Sequence, residues 1–264
     1  MKISPRHREW IELQKRENTY LREGREKKPS ALSRLLAEKV PPTLQSTLDA
    51  AFAKAFEVIF EKGTGIIEKT YDRAGAEREY KISAYAADLR EDGKSLGVFT
   101  KRAETAGSGS IVFSGVGGVG LGLLGIGLPD IPIFAAVLLR SIYSVALSYG
   151  YSYDGEKEKY FILKLIETSL SFGDALAAGD AEINEFIACG RLPEGYVRRR
   201  QIARTSAALS GELLYMKFLQ GLPIVGAVGG AYDAVYLGRV LSYAKLKYHR
   251  RFLLDRGRRA LAGK

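Results

Sequence analysis

From Ile111 to Tyr149 the chain reads IVFSGVGGVGLGLLGIGLPDIPIFAAVLLRSIYSVALSY, and Asp130 and Arg140 are its only charged residues. Water solvates such a stretch poorly, so it must be hidden in a protein core or in a bilayer. Its first half is crowded with glycine, whereas its second half is apolar at helical spacing. Any fold this chain adopts has to supply cover for that segment.

Three arrangements fit the glycines. Gly115, Gly117 and Gly120 satisfy the G-x-G-x-x-G spacing that lets a backbone approach a pyrophosphate at a helix N-terminus. Against it, Gly122, Gly125, Gly127 and Pro129 weaken the helix that must follow, and the chain lacks alternating strand and helix units. Ser114, Gly118 and Gly122 recur at intervals of four, as on a helix face smooth enough to admit a neighbouring backbone. Gly226, Gly230, Ala234 and Gly238 repeat that spacing more cleanly near the C-terminus, so the two smooth segments are expected to pack on each other. The third arrangement is a membrane hairpin turning at Gly127-Leu-Pro-Asp. Residues 111–128 fall short of the roughly 20 apolar residues a span needs, and 131–149 contain Arg140. A buried central hairpin is therefore preferred over a full span, with shallow insertion into one leaflet left open.

The remainder reads as helix. Arg6 to about Lys27 is charged, with Trp10, Leu13, Tyr20 and Leu21 as its apolar positions. A short helix is expected over 31–40. Leu44, Leu48, Ala51, Phe52, Ala55 and Ile59 then mark a buried face between Thr43 and Lys62. Further helices are expected over 66–76, 79–90, 160–171, 180–188, 196–219 and 224–256, with a turn-rich connection over 92–109. Sustained alternation of apolar and polar residues is missing. The expectation is an all-α fold, with a charged helix in residues 1–29 and one helical domain over 30–264. In that domain a central glycine-rich apolar hairpin packs against a long C-terminal helix.

The apolar helix after Gly127 carries its own signals. Asp130 suits an N-cap, and Gly150 suits the C-terminal stop. Arg140, Ser141, Ser144 and Ser148 form a narrow polar seam on an otherwise apolar surface. A buried guanidinium needs a partner, and Asp233, Asp174 and Asp180 are the candidates. Asp130, Arg140, Tyr149, Asp154 and Asp233 are thus the residues expected to form an internal ion pair or to hold a ligand.

Charge is unevenly placed. The formal net charge is +10, yet from Arg191 onward fifteen Lys and Arg face four acids, so the rest of the chain is close to neutral. A basic C-terminal third points to an anionic partner. Arg198, Arg199, Arg200, Lys245, Lys247, Arg250 and Arg251 are the expected contacts, with Tyr243, Tyr248 and Phe252 as interfacial anchors. Cys189 is the only cysteine and is expected to be a small buried residue. It permits no intrachain disulfide and fits a reducing compartment. His7 and His249 are the only imidazoles, which removes most zinc sites and disfavours Ser–His–Asp chemistry. No catalytic residue, metal or cofactor is expected.

The runs Gly127-Leu-Pro-Asp-Ile-Pro132, Leu139-Arg140-Ser141-Ile142 and Tyr149-Gly150-Tyr-x-x-Asp154 resemble the EcsC protein family. So do Glu38-Lys39-Val40-Pro41 and the distal Leu222-Pro-Ile-Val-Gly-Ala-Val-Gly-Gly230, followed by Tyr236. The likeness covers about residues 30–255 and departs at Asp233, where the family's signature leads one to expect Asn. The resemblance implies an α-helical bacterial protein. The family is named for a member encoded beside the two components of an ABC transporter, which implies an accessory role in the cytoplasm or at the inner membrane. It supplies no catalytic residues.

The expectation for function is a non-enzymatic accessory protein, peripheral to the cytoplasmic face of the inner membrane, that binds anionic lipid or a membrane transporter. The alternatives are a hydrolase with a carboxylate-based site in the bundle and nucleic-acid binding through the basic third. No reading motif accompanies the basic residues, so nucleic acid is the weaker partner. An open pocket lined by Asp130, Asp154, Arg140 and Tyr149 would favour the hydrolase, and a closed ion pair would argue against it.

Overall fold

The computed structural model describes residues 3–26, 41–61, 65–69, 71–90, 92–106, 130–219 and 231–262. Every regular element among them is a helix, as the all-α expectation requires. In chain order these are α1 (Pro5–Glu26), α2 (Pro42–Glu61), α3 (Gly65–Glu68), α4 (Arg73–Leu89), α5 (Gly93–Thr105), α6 (Asp130–Ser148), α7 (Glu156–Leu170), α8 (Gly173–Cys189), α9 (Arg198–Leu219) and α10 (Ala231–Ala262).

Two consecutive helices, α6 and α7, form the centre. α2 and α9 pack on each other and against α6 and α7 respectively, while α10 packs against both central helices. α1 and α8 lie on α10, and α4 and α5 flank α6. The α2 face read from the sequence is the one buried: Leu48, Ala51, Phe52, Ala55 and Ile59 are all inside, and Leu44 packs on the core. α1 is highly charged but seats Leu13 and Glu17 in the interior.

α6 is apolar nearly all round and is buried nearly all round, from Ile131 and Ala135 to Ala146 and Leu147. Among the described residues it is the one helix long and apolar enough to cross a membrane, with a mean hydropathy of 1.8 over Ile131–Ser148. Two-thirds of that window (67%) is covered by protein, which makes it a core helix. It packs against α10, as expected of the second arm of the hairpin. The first arm, 107–129, lies outside the described residues, as do 31–40 and the glycine stripe up to Gly230.

α6 ends where Gly150 was expected to stop it. Tyr151 N–H donates to the Ala146 carbonyl (2.9 Å) and Gly150 N–H to that of Leu147 (3.0 Å), which closes a Schellman turn. Gly150 has φ +82°, and a Cβ there would run into the Tyr80 ring, so glycine is needed for both conformation and space.

Two stretches differ from the expectation. The predicted helix over 66–76 is broken at Tyr71–Asp72, because the Asp72 carboxylate accepts from Gly75 N–H (2.8 Å) and starts α4 there. The predicted turn-rich connection after Asp92 is instead α5, capped by the Asp92 carboxylate accepting from Ser95 N–H (2.8 Å). In sequence Asp72 falls inside the expected 66–76 helix, and Asp92 opens the expected turn-rich connection. Their side chains serve as N-caps because an apolar face follows, Leu96, Phe99 and Ala103 in the case of α5.

Candidate functional site

Some of the residues expected to matter fall into two clusters. The first surrounds Arg73, at the start of α4. Its guanidinium donates to Glu68 Oε1 (2.6 Å), Glu77 Oε1 (2.9 Å) and both oxygens of Asp154 (2.5 and 3.1 Å). It lies over the Tyr153 ring, 4.5 Å from the centroid. Tyr153 Oη donates to Glu68 Oε1 (2.9 Å) and shares a short contact with Tyr71 Oη. Tyr143, from the centre of α6, stacks on Tyr153 at 4.0 Å.

Electrostatics fix the states of these groups. The hydrogen bonds from Arg73 hold the Asp154 carboxyl below its ordinary range and keep Arg73 cationic. Burial pushes Tyr71 up to about 12 and raises Tyr143 and Tyr153 further, so all three phenols stay protonated. The Asp154 carboxylate is thus held ionised by Arg73, and the phenols act as neutral hydrogen-bonding groups. The cluster ties α3, α4 and the turn after α6 together, with Asp154 as its solvent-exposed member.

Tyr149 is elsewhere, stacked on His249 (5.7 Å) and against Phe252 (5.5 Å). Burial, aided by the positive charge of Arg16, pushes His249 down to about 4, although Glu9 Oε2 lies 3.7 Å from Nε2. Arg140 is half-buried on α6. The seam serines beside it bond their own helix: Ser141 Oγ donates to the Val137 carbonyl, Ser144 Oγ to Arg140 and Ser148 Oγ to Ser144, at 2.8–3.0 Å. Of the acids proposed for Arg140, Asp174 is exposed. Asp180 is buried with other partners. The side chains of Asp233 and Asp130 lie outside the described residues.

The second cluster overturns part of the surface expectation. Lys247 is only 1% exposed, and its ammonium bridges Glu17 Oε1 (2.8 Å) and Asp180 Oδ1 (2.7 Å), with Asn184 Oδ1 at 3.1 Å. Tyr243 Oη donates to the same Asp180 oxygen (2.6 Å). Arg250 reaches Glu17 Oε2 (2.6 Å) and covers Trp10. Arg251 binds Glu158 Oε2 (2.6 Å), whose other oxygen accepts from Tyr248 Oη (2.6 Å). Lys247, Arg250 and Arg251 therefore serve acids on α1, α7 and α8, and Tyr243, Tyr248 and Phe252 are core residues. The signal available in sequence was Glu17 and Glu158, acids on helices whose apolar faces they share.

Outside these clusters, Arg199 and Arg200 are exposed at the start of α9, where Arg198 pairs with Glu156 at 3.4 Å. Lys245 is half-buried and donates to the Glu104 carbonyl (3.0 Å). Cys189, expected inside, is exposed at the end of α8, where Gly190 terminates the helix in the left-handed conformation. A groove of about 520 Å³ runs between α1 and α10, with Lys15, Arg16, Glu23, Glu104 and Lys245 among its lining. A second, of about 330 Å³, is lined by Arg6, Ala87, Asp88, Arg256, Arg259 and Ala260. Neither is lined by Asp154, Tyr149 or Arg140. No group of acids, His and Cys suited to a metal ion occurs among the described residues.

The model of the EcsC protein family matches residues 7–253. No curated protein and no solved structure matches the chain.

Proposed function

The chain belongs to the EcsC protein family, and on that premise we propose that it is a non-enzymatic accessory protein of the cytoplasmic face. In this reading it is held at the inner membrane by charge, through anionic lipid or a membrane transporter. One observation carries it. The inward cations are matched by the protein's own acids: Lys247, Arg250, Arg251 and Lys164 are paired with Glu17, Asp180, Glu158, Glu167 and, at the surface, Glu182. The formal surplus of ten positive charges is therefore not used up in the core. Arg199, Arg200, Arg204, Arg258 and Arg259 are exposed among the basic residues of the C-terminal third. Each such cation near an anionic leaflet contributes on the order of 1 kcal/mol, screened by salt.

Vesicle co-sedimentation tests this. The protein is expected to pellet with phosphatidylglycerol-containing vesicles at low salt and to be released as salt rises. In cells it is expected in a membrane fraction that high salt strips. Equal recovery with neutral vesicles, or no recovery with either, defeats the proposal.

A further inference from the structure

Seven large apolar side chains are strongly exposed among the described residues, and five of them sit on three segments that converge. Ile3 precedes α1, Ile82, Tyr85 and Leu89 recur at helical spacing on α4, and Leu261 lies in the last turn of α10. They are between 54% and 76% exposed. The same three segments meet at the smaller groove, where Arg6 donates to the Arg256 carbonyl (3.3 Å) and Arg256 pairs with Asp88 (2.9 Å). Three arginines and one aspartate line it, so the groove carries net positive charge. Exposed Arg78 and Lys81 on α4, and Arg90 just past its end, border the apolar stripe, with Glu79 and Asp88 also exposed on the helix.

Solvent does not favour such a face. An apolar stripe with cations at its margins has the composition of a helix lying in a lipid interface: the apolar side chains enter the acyl boundary and the cations meet phosphates. The larger groove is less positive, with Lys15, Arg16 and Lys245 set against Glu23 and Glu104, and these strongly exposed apolar residues lie on the segments around the smaller groove rather than line either groove.

We infer that the face formed by α4, the start of α1 and the end of α10 is where this protein docks on an anionic bilayer. Arg6, Arg256 and Arg259 receive a lipid phosphate, and Ile82, Tyr85 and Leu89 enter the interface. This rests on the membrane-surface reading above and assigns it a face. It also separates two contributions that charge alone would merge, since the apolar contact survives salt and the phosphate contact does not.

The test uses the full chain and vesicles of phosphatidylglycerol and phosphatidylcholine in equal parts. Arg259→Gln and Leu89→Gln alter exposed side chains, so both variants are expected to keep the wild-type urea midpoint. Each is expected to weaken vesicle partitioning about fivefold, and the double variant about 25-fold. In a Cys189→Ser background, an environment-sensitive fluorophore attached through Tyr85→Cys or Leu89→Cys should shift to the blue on vesicle addition. The same label placed through Glu26→Cys, about 30 Å along α1 from Arg6, should not. Wild-type partitioning by the double variant, or unshifted labels at 85 and 89 while the protein still pellets, overturns this face and leaves membrane attachment standing. Failure of the wild-type protein to pellet overturns both.

Discussion

α10 carries basic residues along its length, but its middle and its end treat them in opposite ways. Lys247, Arg250 and Arg251 point inward and are held by acids from three other helices. Arg258 and Arg259, two turns further on, are exposed. The residue types are the same. The difference lies in what faces them: the middle of α10 is packed on α1, α7 and α8, each of which delivers a carboxylate at that level. A cation in the middle is thus a structural bolt, whereas at the end Arg259 faces solvent and the exposed Arg258 divides itself between solvent, Asp255 (3.1 Å) and the Ala188 carbonyl at the end of α8 (2.5 Å). Positive charge counted along a sequence does not distinguish the two.

The sharpest way to break this contrast is Lys247→Met. Methionine fills much of the volume but leaves Asp180 buried with Tyr243 and Asn184 as its remaining partners. Removing one member of a buried pair costs about 3–5 kcal/mol, a large share of a typical domain's stability. Urea denaturation should show that loss, and adding Asp180→Asn should recover part of it. A change below about 1 kcal/mol would mean that the ammonium is not desolvated in solution.

His249, two residues along, gives the next largest effect. Unfolded imidazole takes up its proton near pH 6.5, but the folded protein does so only near pH 4. Between those values the unfolded chain binds more protons, so stability falls as pH falls, by about 3 kcal/mol across the window. Glu9, whose carboxyl burial raises, offsets part of this. The difference between the wild-type protein and His249→Gln isolates the imidazole: it should shrink from pH 7 to pH 4 and then level off. A constant difference would refute the assignment.

These clusters show what the sequence could and could not disclose. Apolar spacing was enough to find α2 and α6, because the buried side of a helix is written in its own residues. Gly150 disclosed the end of α6 for the same local reason. α7 was harder. Glu158 and Lys164 are buried on it, and the partners come from other helices: Arg251 and Tyr248 for Glu158, and Glu182, beside the local Glu167, for Lys164. Such pairings depend on which helices become neighbours, which no local pattern specifies. The same holds for Asp154, placed among the candidate site residues by its motif. Its partner Arg73 stood out only once α4 was seen to begin there.

Arg73→Ala probes that second cluster and is expected to cost about 2 kcal/mol, less than Lys247→Met because Arg73, Glu77 and Asp154 are partly solvated. The Asp154 carboxyl should then titrate back toward its ordinary value, which a carboxyl-detected NMR titration would follow. An unmoved midpoint would show that Arg73 is not what depresses it.

The smallest effect on stability, and the one with an unusual sign, belongs to the outward cations. Arg199 and Arg200 occupy the first turn of α9, where unsatisfied N–H groups make the helix end positive and cations are unfavourable. Replacing both with Glu should therefore stabilise the fold slightly, by about 0.3–1 kcal/mol. The same change lowers the net charge by four and lies outside the docking face, so it should weaken binding to anionic vesicles at low salt through long-range attraction alone, and less than Arg259→Gln does once salt screens it. A gain in stability joined to a loss of binding is the signature of charge kept for a partner rather than for folding. Loss of both would instead place these arginines with Lys247, as residues the fold itself requires.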